Sequence, residues 1–278
     1  MADLLDVQWI HGSPDCATNA DAPLQVHAFD DETYILRQNK CVNFEGPFLY
    51  LLFGTEKALL LDTGAQPGPS QHLPLQTVVQ GIVSNWLVKH QRPTIELIVA
   101  HSHSHGDHSF GDEQFAGQPQ TTVVPPSLTG VRIFFGLTDW PNQSVVFDLG
   151  DRPLTVIPVP GHHPTHIAVY DPKTRVLFSG DTFYPGFLYV WDWTAFRHSI
   201  NRLAHFGVDH PITYFLGAHI EMTRTKKVPY PPGTRYQPEE HILQLLPQHF
   251  AELRAALESL GNVPTRKVLD DFIIEPLA

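Results

Sequence analysis

The chain has 278 residues, 42% of them apolar, which is enough for a sizeable core; no linker, low-complexity tract or internal repeat divides it, so residues 1–278 are read as one domain. Its 29 acidic against 18 basic residues give a formal charge of −11, which argues against a phosphate backbone, and hence a nucleic acid, as partner. The longest apolar run, 48–53, is far too short to cross a bilayer, so no membrane partner is expected.

The first residues show no basic stretch followed by an apolar one, so no signal peptide is expected. Cys16 and Cys41 lack the CxxC spacing of metal or redox chemistry. They could close one disulfide, yet nothing else points to secretion, and the expected setting is reducing and cytoplasmic.

Residues 1–24 are irregular and rich in Asp, Ala and Pro. Short β-type runs follow at 26–29, 33–37, 48–53 and 58–61, separated by Asp30-Asp31, by 43–47 and by Gly54-Thr55, as in sequential antiparallel strands. Asp62-Thr63-Gly64 ends the last of them, where an aspartate can cap the strand end with a turn. From 73 to 90, Val78, Val79, Ile82, Val83, Trp86 and Leu87 recur at helical spacing, so a helix covers one sheet face and Trp86 is a core residue.

The apolar run Ile95, Leu97, Ile98, Val99 then leads into AHSHSHGDHSFG at 100–111, which holds His101, His103, His105, Asp107 and His108. In extended backbone His103 and His105 project to the same side and can grip one cation. Asp107 and His108 stand where the chain turns into a helix and can face a second site close by. Neutral imidazole and carboxylate suit zinc and similar ions; the bland reading is a surface histidine cluster or a pH-sensitive loop.

At His103-Ser104-His105-Gly106-Asp107-His108 the chain resembles the metallo-β-lactamase-fold superfamily, whose HxHxDH signature belongs mostly to dinuclear metal hydrolases. The resemblance implies that Asp62 supports the metal loop from behind.

Downstream, a short capped segment at 111–120 precedes a strand at 121–124, a helix at 131–137 and strands at 145–147 and 154–159. The last strand ends in Pro160-Gly161-His162-His163-Pro164, similar to the superfamily's Pro-Gly-His turn, which makes His162 the third histidine beside His103 and His105. His163 is expected to face elsewhere, and His166 is either a pocket or a strand-edge residue. Strands at 167–170 and 176–178 flank Asp171-Pro172-Lys173, and Ser179-Gly180-Asp181-Thr182 follows. By resemblance Asp181 bridges the two metals; otherwise it would be a helix N-cap.

Phe183, Tyr184, Phe187, Tyr189, Trp191 and Trp193 crowd the next stretch, either as an apolar wall for substrate or as cement between helix and sheet. A helix at 192–206 and a strand at 214–216 lead to Gly217-Ala218-His219, the last ligand of the pattern. The basic loop at 224–236 could meet a substrate carboxylate or simply be solvated. A helix at 241–260 and a strand at 267–273 close a fold expected to be α/β, an αββα sandwich of two mainly antiparallel sheets with helices on the outer faces and the ligands along one edge.

The resemblance implies His103, His105 and His162 at one divalent metal and Asp107, His108 and His219 at the other, with Asp181 between; Zn2+ is favoured, Fe or Mn allowed. It implies attack by a hydroxide shared by the two ions on a small-molecule ester, thioester or lactone, with Asp107 also taking a proton. The order of motifs looks like glyoxalase II and acyl-homoserine lactonases, but the segment after Asp181 lacks the glycine/cysteine-rich pattern of glyoxalase II and the loop after His219 does not match its glutathione-binding residues. β-Lactam hydrolysis, a persulfide-dioxygenase-like iron oxidoreductase, a tRNA-processing-type nuclease and a metal-bound sensor are the other readings of the ligands; an aspartate at 181 leans away from true β-lactamases.

Overall fold

A computed structural model describes residues 7–69 and 71–277. The elements run β1 (Leu24–Ala28), β2 (Thr33–Gln38), β3 (Phe48–Phe53), β4 (Lys57–Leu61), α1 (Leu75–Lys89), β5 (Glu96–Ala100), α2 (Gly106–Ser109), β6 (Thr121–Val123), α3 (Leu128–Phe135), β7 (Val145–Asp148) and β8 (Pro153–Pro158). They continue with β9 (Ile167–Asp171), β10 (Val176–Gly180), β11 (Phe187–Val190), α4 (Trp193–Asp209), β12 (Tyr214–Gly217), β13 (Gln244–Leu245), α5 (Pro247–Leu260), β14 (Lys267–Val268) and β15 (Ile273–Pro276).

Strands β1 to β6 form one six-stranded sheet in sequence order, and a second runs β13-β12-β10-β9-β8-β7. Both are mixed: β4-β5 and β5-β6 are parallel in the first, and β10-β12 in the second. The remaining pairs are antiparallel, in keeping with the expected sandwich.

Side-chain alternation explains the layering. In β3 Phe48, Tyr50 and Leu52 point between the sheets, where they meet Val156, Ile167, Val169, Val176 and Phe178. Leu49, Leu51 and Phe53 point outward onto Leu75, Val79 and Trp86 of α1. β3 is therefore buried along its whole length, because both of its faces are covered. On the far side Ala168, Tyr170 and Leu177 pack under Phe196, Ile200 and Leu203 of α4 and Phe250 and Leu253 of α5. The order is helix, sheet, sheet, helix, and Trp86 stacks on Phe53 as a core residue.

Three local expectations shift. The helix expected over 241–260 begins only at Pro247, because Gln244 and Leu245 pair with β12 instead; proline is at home in the first helical turn. The strand expected at 267–273 is split by a turn closed by Leu269 N–H to Phe272 O, and its second half, β15, pairs with β11. β11 lies inside the aromatic run, where no alternation marks it, and joins β15 and β14 in a small third sheet.

At the end of β9 the buried Arg152 guanidinium fastens the two sheets. It donates to Asp171 Oδ2 at 2.6 Å, to Phe53 O at 3.0 Å and to Thr33 Oγ1 at 2.7 Å. Cys16 and Cys41 form a disulfide, which leaves the compartment open. Among the described residues no helix is long and apolar enough to cross a membrane.

Candidate metal centre

At the opposite end of the seam, β4, β5, β8, β10 and β12 all run out at one edge of the sandwich. Asp62 follows β4 in a left-handed conformation at φ 72°, which aspartate tolerates better than most residues. Its Oδ1 accepts from Ser102 N at 2.7 Å; its Oδ2 accepts from Ser102 Oγ at 2.9 Å and lies 3.0 Å from His108 Nδ1. Asp62 thus holds the metal loop from behind.

His103, His105 and His162 bring three ring nitrogens together: His105 Nδ1 lies 2.9 Å from His103 Nε2 and 3.1 Å from His162 Nε2. Beside them, Asp107 Oδ2 lies 3.2 Å from His108 Nε2 and 3.3 Å from His219 Nε2. Asp181 joins the two groups: Oδ2 is 3.5 Å from His108, 3.6 Å from His162 and 3.9 Å from His103, while Oδ1 is 3.5 Å from His219. All seven residues singled out from the sequence come together, as a cluster of three and a cluster of four.

These groups fit divalent ions. Two atoms on one tetrahedral zinc stand about 3.3 Å apart, close to the separations found. His108 Nε2 and Asp181 Oδ1 are buried with no hydrogen-bond partner, which is costly unless a cation meets them. Four of the five imidazoles also have a neighbour for the other ring nitrogen: Asp62 for His108, Tyr189 O for His162 at 2.9 Å, Glu45 O for His219 at 3.2 Å and Ser102 Oγ for His103 at 3.2 Å. Such partners fix which nitrogen is free to ligate.

Electrostatics sort the clusters. Burial, reinforced by neighbouring imidazoles, lowers His103, and burial likewise lowers His105 and His162, so all three are neutral ligands. Burial opposes charge on Asp107 and Asp181, but His108 and His219 outweigh it and hold both carboxylates below their usual range. In return, and against burial, Asp181 and Asp107 raise His219 to about 9, while Asp107, Asp181 and Asp62 raise His108.

Two glycines are required here. A Cβ on Gly161, at φ 146°, would fall 2.4 Å from the Phe196 backbone, and one on Gly180, at φ 49°, would strike His166 and Ser102. His166 lies behind the site, fully buried and stacked on His103 at 4.8 Å, with its Nε2 accepting from Asp181 N at 3.1 Å. His163 belongs to neither cluster, as expected, though its ring stands 4.7 Å from that of His105. His101 is drawn away from the ligands to Asp112, 2.7 Å from its Nε2.

The aromatic run is mostly cement. Phe183 and Trp193 belong to the core under α4 and α5, and Tyr184 is buried with its hydroxyl 3.0 Å from Glu221 Oε2. In the basic loop, Lys226 and Lys227 turn to Asp270 at 2.8 and 3.6 Å, and Arg235 donates to Cys41 O. Glu221 was not foreseen; its Oε2 also accepts from Phe187 N at 2.9 Å and pins β11 beside the His219 loop. Nor were the carbonyls of Glu45 and Tyr189, which carry no sequence signal because any residue supplies one.

The sequence profile described as the Metallo-beta-lactamase superfamily matches residues 43–211. The chain is similar to the human acyl-coenzyme A thioesterase MBLAC2, 26% identical over 171 residues, or 51% of this chain and 60% of that protein. It is also similar to hydroxyacylglutathione hydrolase of Prochlorococcus marinus (strain NATL1A), 32% identical over 113 residues, or 39% of this chain and 44% of that protein. The matched region thus spans less than two thirds of either relative. Two solved structures share the fold: the metallo-beta-lactamase from Pontibacter korlensis (TM-score 0.53, 17% identity, 84% of this chain and 99% of that one) and FIM-1 from Pseudomonas aeruginosa in its mono-zinc form (0.54, 15%, 87% and 97%).

Proposed function

Because the chain belongs to the metallo-beta-lactamase superfamily, we propose that it is a hydrolase dependent on two divalent ions, with zinc best matched to its ligands, acting on a small-molecule carbonyl ester, thioester or lactone. The observation that carries this reading is the placing of one Asp181 oxygen within 3.5–3.9 Å of ligand nitrogens in both clusters. His103, His105 and His162 would hold one ion, Asp107, His108 and His219 the other, with Asp181 shared. When bound, such a pair lowers the pKa of water and polarises a carbonyl.

The protein's own residues supply the rest. Asp181 is 7% exposed and serves as a fixed ligand, whereas the Asp107 side chain is 22% exposed and stands where a proton enters or leaves. Against burial, His108 and His219 hold the Asp107 carboxyl below its usual range, so it would pass a proton on rather than keep it. Ser102 Oγ is spent on Asp62 and both cysteines are paired, so none of these three supplies a nucleophile. The similarity to a thioesterase and to a hydroxyacylglutathione hydrolase supports an acyl substrate.

The test is metal analysis of the purified protein alongside a panel of thioesters, esters, lactones, β-lactams and phosphodiesters. Two ions per chain with turnover of one or more of the first three classes is the expected result. A single iron with oxygen uptake, or two ions without turnover of any compound, would overturn the proposal.

A further inference from the structure

His163 makes a determinate set of hydrogen bonds. Thr165 N–H, which can only donate, points at His163 Nδ1 at 3.3 Å, so Nδ1 is an acceptor. Thr165 Oγ1, 2.8 Å from the same nitrogen, then donates its proton there as well. That oxygen in turn accepts from Ser104 N at 3.1 Å and from Ser104 Oγ at 2.8 Å. Every proton in the network has one consistent place, and the neutral ring must carry its own on Nε2.

The network anchors His163 to the loop that carries His103 and His105. Its ring stands 4.7 Å from His105 and 5.7 Å from His103, at the rim of the three-histidine cluster, and is half-buried. Among the described residues Nε2 has no hydrogen-bond partner, nor is it one of the buried atoms left unsatisfied. It is a free donor on an anchored ring that stands beside the metal ligands.

We propose that His163 Nε2–H donates a hydrogen bond to the acyl carbonyl oxygen of the substrate, an interaction that strengthens as negative charge develops there; this rests on the hydrolase reading above. A donor held in place before reaction costs no reorganisation during it. Only the Nδ1 side of the ring is tied to protein, which leaves Nε2 free to meet a ligand.

The test has two arms on the zinc-loaded, full-length protein. With an ester or thioester turned over by the native enzyme, His163→Ala lowers kcat about 30-fold, less than the ~10²–10³ of a fully enclosed donor because the ring is half open. KM stays within about 2-fold, metal content is unchanged, and His163→Gln, which retains an N–H, recovers part of the loss. Unaltered kcat in His163→Ala overturns the proposal.

The second arm needs no turnover. Nitrogen-15 spectra of the imidazoles should show His163 as the Nε2–H tautomer, and added acetate, whose oxygens resemble the carbonyl oxygen, should shift that signal and bind about 10-fold more weakly to His163→Ala. The opposite tautomer, or acetate that binds without touching the His163 signal, overturns the assignment. Absence of turnover with an intact acetate response would instead fault the hydrolase reading alone.

Discussion

Replacing Asp62 by Asn tests the support of the second cluster with little steric change. Asparagine tolerates the left-handed backbone at this position, so the substitution adds no conformational strain. Ser102 N–H, 2.7 Å from Oδ1, needs an acceptor and so fixes the orientation of the new amide, whose NH2 then replaces Oδ2 opposite His108 Nδ1. A donor now faces a donor. His108 must move its proton to Nε2, the atom 3.2 Å from Asp107 and 3.5 Å from Asp181, where a lone pair is required for ligation.

Losing one charge-assisted hydrogen bond costs about 1.5–3 kcal/mol, and about 2 kcal/mol corresponds to roughly 30-fold in affinity. Competition against a chromophoric zinc chelator should therefore show one of the two ions bound about 30-fold more weakly and the other, at the three histidines, changed by less than about 3-fold. The far-ultraviolet circular dichroism should not alter. Two ions held as tightly as before, or loss confined to the three-histidine cluster, would refute the reasoning.

Asp181→Ala removes the carboxylate common to both clusters, so metal content and activity should fall together, affinity by at least about 100-fold; two ions and full activity in that variant would contradict the shared role. His219, raised to about 9, and His108, also raised, carry protons in the metal-free protein at pH 7. Zinc must displace these protons, so loading should release roughly two per chain and affinity should weaken as pH falls below about 9; calorimetry in buffers of different ionisation enthalpy would refute this by finding none released. Cys16 and Cys41 stand 25 residues apart, and opening a loop of that size should lower stability by about 3.5 kcal/mol. Urea unfolding with and without a dithiol reductant measures it, and coincident midpoints would deny the contribution.

The ligands were legible because metal chemistry admits few residue types and each one follows a strand end, so His103, His162, Asp181 and His219 stand out against their apolar runs. The layers were legible for a similar reason: burial on both faces makes β3 a continuous apolar run. β11 was not, since a run in which every residue is apolar or aromatic has no period to read. His163 stays outside both clusters, as expected, but its place beside His105 was not legible because it depends on Thr165, whose hydroxyl and amide both meet Nδ1. The aromatic and basic stretches showed the right chemistry without its partners; Asp270, which takes up Lys226 and Lys227, lies more than forty residues further on.

The seam between the sheets is closed by two unlike fasteners. Arg152 and Asp171 clasp one end with groups the chain always carries. The other end gathers four candidate ligands from the first half of the sandwich and His162, Asp181 and His219 from the second, and is also tied by Ile167 N–H donating to Ser102 O and Phe48 N–H to Ala218 O, both at 2.8 Å. Ions bound there would add a brace across halves that are already tied, so their loss should weaken that edge while both sheets keep their register.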